Sequence, residues 1–132
     1  MKKIAYLIIV SLIILNIATG CGKKKIKNEN VKINTNENVI GDQKIDALSF
    51  TNTSLVYEDN TSIFKTSVTN NSNEIVEFNK IEIHIMDEFD KEIVVLPGYV
   101  GDKIEPGQSY LLTATYANDL TKAKSVRYEI IK

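Results

Sequence analysis

One cysteine is the most reactive side chain in this sequence, and its position indicates the chemistry that it serves. Cys21 is the sole cysteine of the 132-residue chain, so no disulfide can form within it. It follows the small residues Ala18, Thr19 and Gly20, which fit the cleft of a peptidase. A thiolate is a strong nucleophile and can form a thioether with a lipid. The small residues therefore predict cleavage directly before Cys21, which would place its sulfur at the new end of the chain, where it can react.

The segment that presents this cysteine is short and apolar. It begins with Lys2 and Lys3 and continues through residues 4–17 (IAYLIIVSLIILNI), which are almost entirely apolar. As a helix this run would be about 21 Å long at about 1.5 Å per residue, whereas the hydrocarbon core of a bilayer is about 30 Å thick. The length favours a signal peptide, predicted to be residues 1–20, over the alternative of an uncleaved membrane anchor with an incidental cysteine.

The four residues from Ala18 to Cys21 resemble the lipobox of bacterial lipoproteins. In that family the cysteine thiol is diacylglycerated and the peptide is cut just before it. The sequence departs from the family pattern at Ala18, where an aliphatic residue such as leucine is commoner. The resemblance implies a protein on the extracytoplasmic face of the cell membrane, and two acyl chains at about 0.8 kcal/mol per buried CH₂ would hold it there.

The single histidine is the next candidate for chemistry. His84 lies in an alternating stretch in which Ile81, Ile83 and Ile85 share one face, so the pattern places His84 beside Glu82 on the opposite, solvent-facing side. A catalytic triad needs a nucleophile, a histidine base and an orienting acid, and no activated nucleophile is evident. We expect no catalytic residue, and therefore no enzyme.

The sequence contains two groups of residues that could bind a metal ion, and neither is favoured as a metal site. His84 and Met86 share a strand face, and a His-x-Met pair can bind soft Cu(I), but two ligands make a poor site. Asp87, Glu88, Asp90 and Glu92 form an acidic turn without the spacing and glycine of an EF-hand loop. A solvated hairpin tip is the expected structure for that turn. No metal-binding or cofactor-binding residue is predicted, and no cofactor.

The elements that position these residues are β-strands, because the apolar side chains recur with a period of two. The pattern predicts Phe64, Thr66 and Val68 on one inward face, with a bulge or bend near Asn79 and a turn at Pro106–Gly107. The remaining inward positions predicted are Tyr110, Leu112, Ala114, Tyr116, Val126, Tyr128 and Ile130. The predicted strands are Ile45–Phe50, Leu55–Tyr57, Ser62–Thr69, Glu74–Asp87, Ile93–Leu96, Ser109–Tyr116 and Ser125–Ile131.

Strands of this number and spacing predict an all-β, antiparallel β-sandwich over residues 44–132, with a β-barrel as the competing closure. Residues 21–43 comprise the lipidated cysteine and an asparagine-rich stretch without periodicity, which we interpret as a flexible tether. The four lysines of that stretch nearest the cysteine could each add about 1 kcal/mol of attraction to anionic lipid.

The stretch from Ser62 to Tyr116 resembles the FxLYD domain, an immunoglobulin-like module of bacterial surface proteins and lipoproteins. The residues that carry the resemblance are Val68–Ser72, the strand ending Ile83–Asp87, and Pro106–Gln108. In the naming motif Ile83, Ile85 and Met86 stand where the family has Phe, Leu and Tyr, while Asp87 is kept. The resemblance implies a fold and a location, and the family has no established shared activity.

Two functional classes remain. In the first, the anchored domain is a surface module that binds a protein or a polysaccharide. In the second, it is a structural accessory subunit of a cell-envelope complex. A long apolar edge strand would favour a docked partner. We expect no nucleic-acid partner, since nothing in the charge balance favours one: removal of Lys2 and Lys3 changes 16 basic residues to 14 against 17 acidic ones, a net charge of −3.

Overall fold

The protein is described by a computed structural model over residues 30–132, within which Lys32–Lys132 form one compact unit. The predicted signal peptide, the recognition residues Ala18, Thr19 and Gly20, and Cys21 lie outside the described residues. Within the described part of the chain, no helix is long and apolar enough to cross a membrane.

The described chain is built almost entirely of strands, with one short helix near its start. Alternating β-branched and aromatic residues supply the long strands, as the sequence pattern predicted. The helix α1 covers Glu37–Ile40, and Asn36 caps it by accepting a hydrogen bond from the Asn38 backbone N–H. The strands are β1 Lys32–Ile33, β2 Gln43–Ile45, β3 Leu48–Glu58, β4 Thr61–Asn70, β5 Val76–Glu77, β6 Lys80–Met86, β7 Glu92–Gly98, β8 Lys103–Ile104, β9 Ser109–Tyr116 and β10 Ser125–Ile131.

The strands form separate antiparallel sheets, which confirms the predicted all-β sandwich over the alternative barrel. The larger sheet has five strands in the order β1–β3–β4–β9, with β2 also paired to β3. The second sheet has three strands in the order β10–β6–β7, and β5 pairs with β8 in a two-stranded ribbon. The two main sheets face each other across the core, where the Phe50 ring of β3 stacks on the Tyr128 ring of β10 at 3.9 Å.

The inward faces are the ones that the sequence pattern predicted. Ile81, Ile83 and Ile85 are fully buried in the second sheet. Across the core, Phe64, Thr66, Val68, Leu112, Ala114, Val126 and Tyr128 are also buried. Tyr110 is an exception: it was expected to point inward, but it is 39% exposed at the edge of the larger sheet, where its hydroxyl donates to Gln108 Oε1.

The compact unit begins at Lys32, nearer the N-terminus than the start predicted for the domain at residue 44. Val39 of α1 is fully buried against the core. Asn34 is buried too, and its amide nitrogen donates to the carbonyls of Thr121 and Ala123 at 3.1 and 2.9 Å. The sequence pattern did not indicate that this segment is folded, because the segment has no apolar periodicity. Its stability comes from hydrogen bonds to a loop that is distant along the chain.

The strands are interrupted at two places. The predicted bend near Asn79 is a break between β5 and β6, which belong to different sheets. The predicted strand Leu55–Tyr57 lies in the long β3, whereas the predicted strand Ile45–Phe50 is divided between the end of β2 and the start of β3. The pairing of β3 with β4 is interrupted by a bulge between Thr51 and Ser54. Asn52, inside that bulge, has a positive φ of 53°, a conformation that asparagine tolerates better than most residues.

Candidate functional site

His84 is buried, although the alternation of its strand predicted an exposed side chain. It does lie on the face of β6 opposite the isoleucines, as expected, but the residue is only 7% exposed. Because β6 is the central strand of its sheet, neighbours cover His84 from both sides: Arg127 of β10 and Val95 of β7 are its cross-strand partners. Long glutamate side chains from all three strands complete the cover.

Three carboxylates surround the imidazole of His84, and a different feature of the sheet positions each of them. Glu82 precedes His84 by two residues on β6 and therefore shares its face. Glu129 of β10 is the direct cross-strand partner of Glu82. Glu92 of β7 reaches this face because a register shift between Ile85 and Met86 pairs Met86 with Glu92 instead of with Ile93. Regular alternation along β7 would have turned Glu92 toward the core.

The contacts distinguish the two ring nitrogens of His84. Nδ1 lies 2.7 Å from Oε2 of Glu92, and since a carboxylate only accepts, Nδ1 carries a proton and donates it. Nε2 lies 3.0 Å from Oε2 of Glu129 and 3.4 Å from Oε2 of Glu82. The glutamates remain partly open to solvent, with 23% exposure for the side chain of Glu82 and 47% for those of Glu92 and Glu129.

Two cations lie at the margin of this cluster of carboxylates. Lys80 contacts Oε1 of Glu82 at 3.0 Å, which leaves Oε2 turned toward His84. The hydrogen bond from Lys80 lowers the pKa of Glu82 from its ordinary value, so that this carboxylate stays ionised in more acidic solution than a free glutamate does. Arg127 Nη2 lies 3.4 Å from Nδ1 of His84. Nδ1 accepts a hydrogen bond from Arg127 only in the tautomer in which it carries no proton, so this contact competes with the hydrogen bond from Nδ1 to Glu92.

Nε2 of His84 is a buried polar atom without a hydrogen-bond partner. Oxygens of Glu129 and Glu82 lie 3.0 and 3.4 Å from it, as ion-pair contacts if the ring is protonated. One other buried side-chain atom of the described residues shares this property, the Tyr128 hydroxyl inside the core, where burial raises the pKa of the phenol. A nitrogen with two carboxylate oxygens around it and no partner of its own is a candidate ligand.

The sequence pointed to His84 but to the wrong companions. Met86 follows His84 on the same face, as expected, yet the groups around the imidazole are carboxylates, which do not favour Cu(I). The described residues hold one group of carboxylates and histidine with the spacing of a metal site, namely Glu82, His84 and Glu129. Sequence reasoning missed Glu129 because its neighbour Glu82 is distant along the chain.

The acidic turn after β6 forms a hairpin tip, as predicted. Asp87 Oδ1 accepts hydrogen bonds from the backbone N–H groups of Phe89 and Lys91, and Asp90 has a positive φ. Glu88 is exposed. Glu92 belongs instead to β7 and to the His84 cluster, so the acidic residues expected to act together are divided between two environments.

A second buried polar centre lies at the end of β4. Asn70 is fully buried, and its Nδ2 donates to the carbonyls of Glu74 and Ile104 at 2.7 and 2.9 Å. Its Oδ1 accepts from the backbone N–H and the hydroxyl of Ser72. The Gly107 backbone N–H donates to the Asn70 carbonyl. Asn70 therefore joins two of the segments that carry the FxLYD resemblance, and all its polar atoms have partners.

The exposed edge of the larger sheet is the remaining candidate surface. Within the described residues β9 pairs with β4 on one side and with no strand on the other. Its sequence, SYLLTATY, has no charged residue and no proline. Leu111 is 64% exposed on this strand, next to the partly exposed Tyr110. Edge strands of natural proteins usually carry a lysine, a proline or a bulge that prevents further pairing.

Comparisons of the chain with protein-family models, with curated proteins and with solved structures give no match. Within the described residues, the edge of β9 and the cluster around His84 are the two candidate sites.

Proposed function

We propose that this protein is a membrane-anchored extracytoplasmic lipoprotein whose β-sandwich binds another protein by strand addition along β9. The anchor rests on the short apolar run and on Ala18, Thr19 and Gly20 before Cys21. An immunoglobulin-like module of the FxLYD kind would fit such a location. The observation that carries the binding proposal is the unprotected edge of β9.

Strand addition follows from what this edge offers. Half of the backbone N–H and C=O groups of an edge strand point away from the sheet and have no partner within it. An extended segment of a partner can satisfy them as an added strand. The eight residues of β9 are long enough for a full ladder, and the exposed side chain of Leu111 adds an apolar contact.

The same feature favours a protein over a polysaccharide as the partner. A regular row of amide donors and carbonyl acceptors matches the spacing of another polypeptide strand. The absence of charge along β9 also favours a partner whose binding depends on backbone hydrogen bonds and apolar contact.

The anchor is tested by expressing the full chain in a bacterial host with a lipoprotein-processing pathway. We expect mass spectrometry of the membrane fraction to find a mature protein that begins at a diacylated Cys21. Cys21→Ser should remain as an unacylated, uncleaved precursor. An unmodified Cys21 in the membrane-bound wild type would contradict the proposal.

The edge is tested by capture from envelope extracts with full-length protein in three forms: wild type, Leu111→Lys and Ile33→Lys. Ile33 of β1 is the matched control, because it is 63% exposed on a strand at the other side of the same sheet. A protein retained by wild type and Ile33→Lys but lost from Leu111→Lys supports strand addition. Hydrogen exchange of the complex should then slow at the backbone amides of residues 109–116. Equal capture by all three forms, or unchanged exchange in β9, would contradict it.

A further inference from the structure

We propose that His84, Glu82 and Glu129 form a binding site for a divalent transition-metal ion, with Zn²⁺ the best match. This site is separate from the β9 edge and does not depend on the anchor. It lies on the outer face of the second sheet, where β6 and β10 are paired.

The distances around Nε2 of His84 fit a zinc ion. Two ligand atoms that are each about 2.0–2.1 Å from a tetrahedral zinc ion lie about 3.3 Å apart. Nε2 of His84 is 3.0 Å from the Glu129 oxygen and 3.4 Å from the Glu82 oxygen. All three ligand atoms lie within 4.8 Å of one another, so a small inward movement of the partly exposed glutamate side chains would bring them to a single ion. The fourth position would be open to water or to a group from a partner.

Nε2 of His84 is a buried nitrogen that no hydrogen bond satisfies. The His84 side chain is only 9% exposed, and its Nε2 has no hydrogen-bond partner while it faces two carboxylates. A buried polar atom that is left unsatisfied destabilises the folded state. A metal ion on the Nε2 lone pair would remove this cost.

The ring of His84 is held in the way that is usual for a metal ligand. Histidines that bind metals usually donate the other ring N–H to a carboxylate, which fixes the ring and raises its basicity. The hydrogen bond from Nδ1 to Glu92 at 2.7 Å is of this type. It exists because of the bulge that turns Glu92 onto this face.

The charges of the side chains around Nε2 favour a cation between the two carboxylates. Glu82 and Glu129 are direct cross-strand partners, and like charges in such positions repel each other. Lys80 neutralises one oxygen of Glu82, and Arg127 lies beside Nδ1 rather than between the two carboxylates. Neither side chain occupies the space that Nε2 and the two remaining oxygens share. The competing occupant is a proton on Nε2, which would make the cluster an ion-pair network.

The ligand set selects the metal. One imidazole nitrogen and two carboxylate oxygens suit zinc and its neighbours in the transition series, while Cu(I) prefers thiolate and thioether. Calcium and magnesium prefer six or more oxygen ligands. Zinc is therefore the ion to test first.

The test titrates zinc chloride into the full chain in detergent, with Cys21→Ser as background so that the single thiol cannot bind the ion. Calorimetry should give one zinc ion per chain. Relative to that background, His84→Gln and Glu129→Gln should each lower the association constant at least tenfold. Glu92→Gln should lower it by about 10–100-fold, because the residue acts through the orientation of His84. Glu77→Gln, the same change on an exposed strand of the small ribbon, should leave it unchanged.

Two further measurements keep the outcome decisive. Melting curves in chelator verify that each variant folds. If His84→Gln does not fold, the half-exposed Glu129 gives the deciding variant. Cobalt(II) should give a visible absorption band of a low-symmetry nitrogen–oxygen site that is lost in Glu129→Gln. No heat of binding at millimolar zinc, or equal affinity in Glu129→Gln and Glu77→Gln, would overturn the metal site and leave the ion-pair network.

Discussion

Asn70 and His84 are both buried polar side chains on long strands, yet they are built in opposite ways. Asn70 uses its amide nitrogen and its amide oxygen on partners in the loops around it. His84 uses Nδ1 and leaves Nε2 without a hydrogen bond. A polar group that is fully satisfied stabilises one arrangement of the chain, whereas an unsatisfied nitrogen beside partly exposed carboxylates leaves a position that a ligand can complete. We therefore assign Asn70 to the fold and His84 to a function.

The largest effect expected from this comparison is at Asn70. Asn70→Asp keeps the shape but directs a carboxylate oxygen at the carbonyls of Glu74 and Ile104, which both lose their donor. Since each unsatisfied buried group costs about 1–3 kcal/mol, the free energy of unfolding should fall by more than about 3 kcal/mol. Chemical denaturation at neutral pH measures it. Asn73→Asp, on the exposed turn nearby, is the control and should change stability by less than about 0.5 kcal/mol.

A smaller effect is expected at His84 when metal is absent. His84→Gln in chelator loses the hydrogen bond to Glu92, whose half-exposed carboxylate can be rehydrated. A loss of about 1.5 kcal/mol follows, at the low end of hydrogen bonds to charged groups. The sequence alone placed His84 in solvent and implied almost no loss. A loss as large as that of Asn70→Asp would show that both nitrogens are structural and would remove the contrast.

The smallest effect concerns an acid at the surface, Asp119, which ties the loop before β10 to β1. Hydrogen bonds from the Thr121 hydroxyl and backbone N–H, with Lys32 beside them, lower the pKa of Asp119 from 3.8 to about 2. A lowered pKa in the folded state stabilises the protein above pH 3.8, and the contribution is lost as the pH falls toward about 2.

Melting curves of wild type and Asp119→Asn across that pH range measure this contribution. We expect the wild type to melt at a slightly higher temperature at neutral pH, with the difference closing by about pH 2. A difference that persists unchanged at the lowest pH would mean that ionisation of Asp119 is not the cause.

The sequence by itself determined the faces of the strands. Alternation identified Ile81, Ile83 and Ile85 as core and His84 as their opposite, because successive side chains of a strand point to opposite faces whatever the strand pairs with. The turn at Pro106–Gly107 was also predictable, and Gly107 has the positive φ that favours glycine. The site at Cys21 rests on local sequence alone.

Only the tertiary structure decided which strands are neighbours, and the candidate sites depend on that. Glu82 and Glu129 meet because β6 pairs with β10, and Glu92 joins them because a bulge breaks the alternation of β7. The role of β9 as an edge also follows from strand order. Alternation is a local property of the backbone, whereas pairing and bulges are set by packing between segments far apart in sequence, so no periodicity within one strand encodes them.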